Sequence, residues 1–176
     1  MKIIALAPVL MLVLPMSVAA QSISTARIDL NGSIQAGTCT VSPVSKAMPA
    51  VGANAFPQTA SGKGAANASF TDFEIKLTAC SGVTGGTFVF GTRADAHATE
   101  TDSFVNKGVG GSPYVAIWLR GSCTLGPTYQ PGQSVTKTFT GATYSLPLCA
   151  TYYKTAGGLV TQGPASTSFV VTVTYQ

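Results

Sequence analysis

Two stretches of the chain alternate apolar and polar residues with a period of two, the pattern of a strand that buries one face. In residues 27–36, RIDLNGSIQA, every second residue is apolar or small: Ile28, Leu30, Gly32, Ile34 and Ala36. In the last eight residues, FVVTVTYQ, the same spacing recurs: Phe169, Val171, Val173 and Tyr175. The sequence therefore predicts a β-strand near the N-terminus and another at the C-terminus.

Shorter runs between these stretches predict six more strands, and helical periodicity is nearly absent. Their approximate positions are residues 39–44, 69–79, 87–91, 114–120, 134–139 and 144–154. The spacers are rich in Gly, Pro, Ser and Asn, and residues 47–68 predict a long loop or a weak edge strand. About seven short strands after the N-terminal stretch indicate an all-β domain, an immunoglobulin-like sandwich.

The first twenty residues have the composition of a secretory signal peptide. Lys2 precedes an apolar run over residues 3–14, and small residues follow at 17–20. Cleavage after Ala20 satisfies the small-residue rule, and a cut after Ala19 fits nearly as well. Pro8 interrupts the run and Pro15 follows it, and the run is short for a bilayer span of about 20 residues. We expect an exported chain with a signal peptide at 1–20, an arm at 21–36 and a folded domain at 37–176.

The four cysteines follow the predicted signal, and an even number in an exported chain indicates disulfides. Three pairings exist, and the order along the chain favours Cys39 with Cys80 and Cys123 with Cys149. No two cysteines stand two to four residues apart, and the chain has a single histidine, so a tetrahedral metal site is disfavoured.

Charge is sparse, at 9% of residues, with a formal net charge of +4. The basic residues are scattered singly, whereas a nucleic-acid partner requires a basic patch, so we expect none. Three of the six acidic residues and the lone histidine lie within eight residues of one another in the segment RADAHATETD, at Asp95, His97, Glu100 and Asp102. A weak divalent-metal or copper site is the alternative, but their spacing fits no known ligand pattern, and we expect a solvated loop.

No nucleophile motif of the GxSxG type accompanies His97, so we expect neither catalysis nor a cofactor. Trp118, in VAIWL, lies on the face of its predicted strand opposite to Val115, Ile117 and Leu119. Packing is its expected role, with receptor binding as the alternative.

The N-terminal arm permits two interpretations. It could pair at the edge of its own sheet, which would make the domain a self-complete secreted sandwich. It could instead complete the sheet of another molecule, with main-chain hydrogen bonds giving affinity and alternate side chains filling pockets.

Taken together and in their order along the chain, the motifs of this sequence resemble those of a pilus subunit of the chaperone-usher, type 1 fimbrial class. The segments that carry the resemblance are RIDLNGSIQAGTCTV, FEIKLTAC, FVFGTRAD, VAIWL, LPLCATYYKT and FVVTVTYQ. The resemblance implies a sandwich that lacks its last strand. In this class a periplasmic chaperone fills the groove until, at the outer-membrane usher, the arm of the next subunit replaces it.

The resemblance also assigns roles residue by residue. Ile28, Leu30, Gly32 and Ile34 match the donor face of the arm, with Gly32 at the family's arm glycine. Cys39 and Cys80 match the family disulfide. The C-terminal strand that chaperone and usher recognise is matched by Gly163, Phe169, Val171, Val173 and Tyr175.

Cys123 and Cys149 depart from the usual single-disulfide subunit, which leaves the branch of the family open. The expected function is a structural subunit of an adhesive fimbria on the cell surface, exported through the periplasm, with neighbouring subunits as partners. The alternative is a minor or tip-proximal subunit that itself binds a host or abiotic surface receptor. A two-domain tip adhesin would need roughly another 100 to 150 residues.

Overall fold

The computed structural model describes residues 37–176, and the predicted signal peptide and arm lie outside the described residues. Ten strands follow one another in this part: β1 (Thr38–Val41), β2 (Gly64–Ala65), β3 (Thr71–Ser81), β4 (Gly85–Phe90), β5 (Phe104–Val105), β6 (Val115–Arg120), β7 (Thr128–Tyr129), β8 (Ser134–Thr138), β9 (Tyr144–Lys154) and β10 (Val171–Tyr175). Three-residue 3₁₀ turns stand at Ala53–Ala55, Asn67–Ser69 and Arg93–Asp95. In the described part, no helix has the length and apolarity to cross a membrane.

The strands form two antiparallel sheets. The first has the order β1-β3-β9-β6-β5, with β2 paired to β9 and β7 paired to β6, and the second has the order β10-β4-β8. Each strand pairs antiparallel with its neighbours. The chain is thus an all-β sandwich, as the alternating pattern predicted.

The core lies between the inner faces of the two sheets. In β3 the inward residues Ile75 and Leu77 are buried, while Asp72 and Lys76 face solvent. The alternation follows from the two-residue period of a strand, and it repeats in the second sheet, where the aromatic rings on β4 are fully buried. Single polar substitutions at such inward positions would leave unsatisfied groups in the core.

Seven of the strands are four or more residues long, and they correspond to the seven expected after the arm. The expected first strand was too long, because β1 ends at Val41 and Pro43 soon removes a backbone donor. The expected strand from residue 69 begins at Thr71, after a 3₁₀ turn. The two-residue strands β2, β5 and β7 carry too little alternation to be predicted from sequence.

Both disulfides expected from the order of the cysteines are present. Cys39 in β1 bonds to Cys80 in β3, which pins the first strand of the domain to its neighbour, with 4.1 Å between the Cα atoms. Cys123, in the loop after β6, bonds to Cys149 in β9, with 5.1 Å between the Cα atoms. In the register of these strands Cys149 stands opposite Arg120, so this bridge ties the loop back onto the sheet that it leaves.

Removing either disulfide should destabilise the domain by a similar amount. The loops have sequence separations of 41 and 26 residues. In the chain-entropy model, replacing Cys39 and Cys80 with Ser lowers the free energy of unfolding by about 4 kcal/mol, and replacing Cys123 and Cys149 by about 3.5 kcal/mol. Urea unfolding of both double variants beside the oxidised wild type measures these losses. A loss below about 1 kcal/mol for either pair would contradict the entropic account.

Candidate functional site

The candidate site is the slot between β1 and β10, which are end strands of different sheets. Within the described residues β1 pairs with β3, β10 pairs with β4, and neither pairs with the other. A side chain joins them instead, because the Tyr175 hydroxyl donates a hydrogen bond to the Cys39 carbonyl at 3.2 Å. The two strands are therefore neighbours without a shared backbone ladder.

Burial differs sharply between β10 and the strand beside it. Val173 stands opposite Phe88 in the register, and Val171 stands opposite Phe90. Both phenylalanines have 0% exposure, whereas the two valines are half-buried although they face the same core. Phe169 and Tyr175 are half-buried too. The apolar face of β10 is covered on the β4 side and left open on the β1 side.

The backbone of β10 also has a side that pairs with no strand of the described part of the chain. Gly91 donates its N–H to the Val170 carbonyl, and Gln176 donates to the Gly85 carbonyl. By the alternation of an antiparallel ladder, Thr172 and Thr174 direct their backbone groups toward β4. The N–H and C=O groups of the residues between them point the other way, toward the slot: Val171, Val173 and Tyr175. This is the hydrogen-bonding edge that another strand requires.

The chain approaches β10 through an irregular segment, residues 163–168, which passes the loop after β5. Gly163 lies so close to this loop that a Cβ atom there would stand 2.5 Å from the Gly110 carbonyl oxygen. A Cβ at Gly111 would stand 2.1 Å from the Pro164 carbonyl oxygen. Close approach of two backbones is one reason for glycine at position 163. The role that the resemblance assigns to Gly163 in recognition is a separate proposal.

Lys107 and Asp95 form an ion pair beside the start of β10. The Lys107 Nζ lies 2.8 Å from the Asp95 carboxylate and also donates to the Ser168 carbonyl. Hydrogen bonds from Lys107 and from the Thr92 backbone hold the pKa of Asp95 below its usual value. The sequence did not predict these contacts or those of Asn106 to the same segment. Asn106 and Ser166 are 60 residues apart, and no local pattern indicates that two such residues are in contact.

The predicted donor residues Ile28, Leu30, Gly32 and Ile34 lie outside the described residues, so their role remains a prediction. The predicted C-terminal strand is present, although it begins at Val171, so that Phe169 precedes it. Phe169, Val171, Val173 and Tyr175 all share the inward face, as the alternation predicted.

The acidic segment differs from the solvated loop that we expected. His97 is buried, its Nε2 lies 3.1 Å from the Pro113 carbonyl oxygen, and its Nδ1 accepts from the Thr99 backbone N–H at 3.3 Å. Both ring nitrogens are thus engaged in holding the loop. Glu100 pairs with Lys63, and Asp95 pairs with Lys107. In residues 37–176 these carboxylates and His97 do not converge into a metal-binding group.

A different trio, Asp72, Cys123 and Cys149, does come together in the described part, within 4.8 Å. Both of its cysteines are bonded in the disulfide, so they offer no thiolate to a metal.

Trp118 packs on the face of the first sheet that points away from the core. Its ring lies 4.7 Å from that of Tyr153, centre to centre, and the Arg120 guanidinium lies 5.8 Å from the indole. The indole Nε1 is buried and has no hydrogen-bond partner among the described residues. Tyr152 is buried, whereas its neighbour Tyr153, on the opposite face of β9, is half-buried.

Two of the solved structures that match this chain illustrate the shared fold. One is a chain from the structure of a chaperone-usher pilus that was used to explain rod uncoiling. It superposes with a TM-score of 0.60 at 18% identity and covers 89% of this chain and 100% of that chain. The P pilus rod subunit PapA gives a TM-score of 0.60 at 19% identity, covering 78% of this chain and 99% of that chain. At these identities the likeness establishes the sandwich fold.

No curated protein sequence matches the chain. A family model does match, over residues 28–176, and its description is "Fimbrial protein". The match begins in the predicted arm and runs through the described domain to the last residue. The open edge of β10 thus lies in a chain that belongs to the fimbrial protein family, whose members are structural pilins and not enzymes.

Proposed function

We propose that the chain is a structural subunit of an adhesive fimbria and polymerises by donor-strand exchange. In this proposal the arm, residues 21–36, pairs with the free edge of β10 in a neighbouring subunit and covers the slot beside β1. The supporting observation is the contrast between β4, whose core aromatics are fully buried, and β10, whose equivalent residues are half-buried. A further strand at this edge would bury them.

The direction of the strands favours donation between molecules. Gly37, where the described chain begins, packs against Gly82, and Gln176 at the end of β10 bonds to Thr84 and Gly85 nearby. The arm therefore departs from the end of the domain at which β10 finishes. An arm that folded back into its own slot would have to run parallel to β10. An arm from a second subunit is free to pair antiparallel, the more stable arrangement.

The energetic gain from donation is substantial. Burying Ile28, Leu30 and Ile34 contributes roughly 1.5 to 3 kcal/mol each, or about 5 to 9 kcal/mol in total before the ordering cost. Main-chain hydrogen bonds to Val171, Val173 and Tyr175 add to it. Gly32 would occupy a place in the register where the slot tolerates no side chain.

Until the arm arrives, the open edge is an aggregation hazard. We therefore propose that a periplasmic chaperone covers it and that an outer-membrane usher exchanges the chaperone for the next arm. The route begins with the signal peptide at residues 1–20 and ends in a fimbria on the cell surface. Gly163 and the C-terminal strand are the elements that chaperone and usher would contact.

The second candidate is a minor or tip-proximal subunit that itself binds a host or abiotic surface. The half-buried pair of Trp118 and Tyr153 favours it, because aromatic faces that reach the surface bind sugars. The two candidates differ in whether Trp118→Ala abolishes adhesion while leaving fibre assembly intact.

Arm peptide should stabilise the isolated domain. A ligand present at 100 times its Kd adds about 2.7 kcal/mol if it binds only the folded state, which corresponds to a rise in Tm of roughly 10 °C for a domain of this size. The measurement is the Tm of the oxidised domain from Gly37 to Gln176, with and without peptide covering residues 22–36. A scrambled peptide is the control. An unchanged Tm, in a domain already stable and monomeric, would mean that the sandwich closes itself.

The register of the arm can be tested with two variants, each of which carries one leucine at one of two adjacent positions in the peptide or in the subunit. Gly32→Leu places a side chain on the donor face and should abolish the gain in Tm and block fibre assembly. Ser33→Leu, on the opposite face of the arm, is the matched control and should keep both. Normal fibres from a Gly32→Leu subunit would refute this register.

A further inference from the structure

We propose that Asn106 and Lys107 are positioning residues that hold the start of β10, so that its free edge is formed before a donated strand arrives. This inference rests on the proposed role of β10 as acceptor. Asn106 and Lys107 follow β5, at the edge of the first sheet opposite to β1. In this inference they influence the affinity of the slot for a donated strand.

The Asn106 side chain makes hydrogen bonds to the backbone of the irregular segment, as a neighbouring strand would. Its side-chain amide donates to the Pro164 carbonyl at 3.3 Å and accepts from the Ser166 N–H at 3.0 Å. A neighbouring strand would offer the same two groups, one acceptor and one donor. The side-chain carbonyl also accepts from the Gly108 N–H at 2.9 Å, which fixes the loop that carries it.

Lys107 continues this contact with both its backbone and its side chain. The backbone N–H donates to the Ser166 carbonyl at 2.7 Å, and the Nζ donates to the Ser168 carbonyl. The Nζ also bonds to Asp95, whose carboxylate accepts from the Thr92 backbone N–H at 2.9 Å. Thr92 follows β4 by two residues, so Lys107 links the edge of the first sheet to the second sheet through the start of β10.

These contacts matter because residues 164–168 belong to no strand. Beyond them, Phe169 stacks on the buried Phe104 with 4.1 Å between ring centres, and the ladder to β4 follows. The far end of β10 is held separately by Gln176 and by the Tyr175 hydroxyl. Without Asn106 and Lys107 the segment that leads into the acceptor edge would have to be ordered at the moment of binding, and that ordering cost reduces affinity.

The Lys107 contact is accessible to water. The Lys107 side chain is 40% exposed and that of Asp95 is 18% exposed, beside an open depression that includes Ser168 and Val170. Added salt should therefore weaken the ion pair. The chain offers a matched pair elsewhere, Lys63 with Glu100, with side-chain exposures of 47% and 12%.

The test measures binding of fluorescent peptide 22–36 to the monomeric chain after signal removal, residues 21–176. Lys107→Met should raise the Kd about tenfold, because the acceptor edge loses its preorganisation. Lys63→Met should leave the Kd within about twofold of wild type, as expected for a surface ion pair away from the site. Because Arg27 and Asp29 balance in the peptide, we expect added NaCl to weaken binding to wild type and to leave Lys107→Met unchanged.

Asn106 supplies an independent variant. Asn106→Asp keeps the acceptor for Ser166 and should restore much of the affinity that Asn106→Leu loses. The Tm of each variant shows whether it folds. If Lys107→Met does not fold, Asp95→Asn tests the same ion pair from its other partner. Wild-type affinity in Lys107→Met or Asp95→Asn, or an equal loss in Lys63→Met, would overturn the positioning role. Absence of binding by the wild type would overturn the acceptor role itself, and this inference with it.

Discussion

One constraint underlies the structure, which is that, within residues 37–176, β10 pairs with a strand on one side only. Its backbone pairs with β4, and the groups of Val171, Val173 and Tyr175 on the other side face a slot without a ladder. The half-buried inner face of β10 fits this open side, because no further strand of the described residues covers it there. The remaining features of the slot hold its two margins in place around this missing neighbour.

Several independent contacts serve that purpose. The disulfide from Cys39 to Cys80 fixes β1, and the Tyr175 hydroxyl spans the slot to the Cys39 carbonyl. At the opposite end, Lys107 ties the start of β10 to Asp95. A sandwich with an open edge is less stable than a closed one. Covalent and polar contacts of this kind offset part of that loss while leaving the apolar face free for a partner.

The sequence predicted what depends on local alternation and missed what depends on distant contacts. The two-residue period placed the long strands and the inward residues of β10, because burying one face of a strand requires that pattern. It could not predict that His97 is buried, nor that Lys154 is fully buried with its Nζ 2.6 Å from the Gly62 carbonyl oxygen. Such residues are polar by type, and their burial depends on carbonyl partners that only the tertiary fold supplies. Asn106 and its partner Ser166 belong to the same class.

Amide hydrogen exchange along β10 tests the central claim most directly, because it reports on each side of the strand separately. The N–H groups of Thr172 and Thr174 face β4, and those of Val171, Val173 and Tyr175 face the slot. Without arm peptide, the account predicts protection at the two threonines and fast exchange at the other three. With peptide 22–36 bound, all five should be protected. Protection of the slot-facing amides in the free domain, or their continued fast exchange with saturating peptide, would contradict the account.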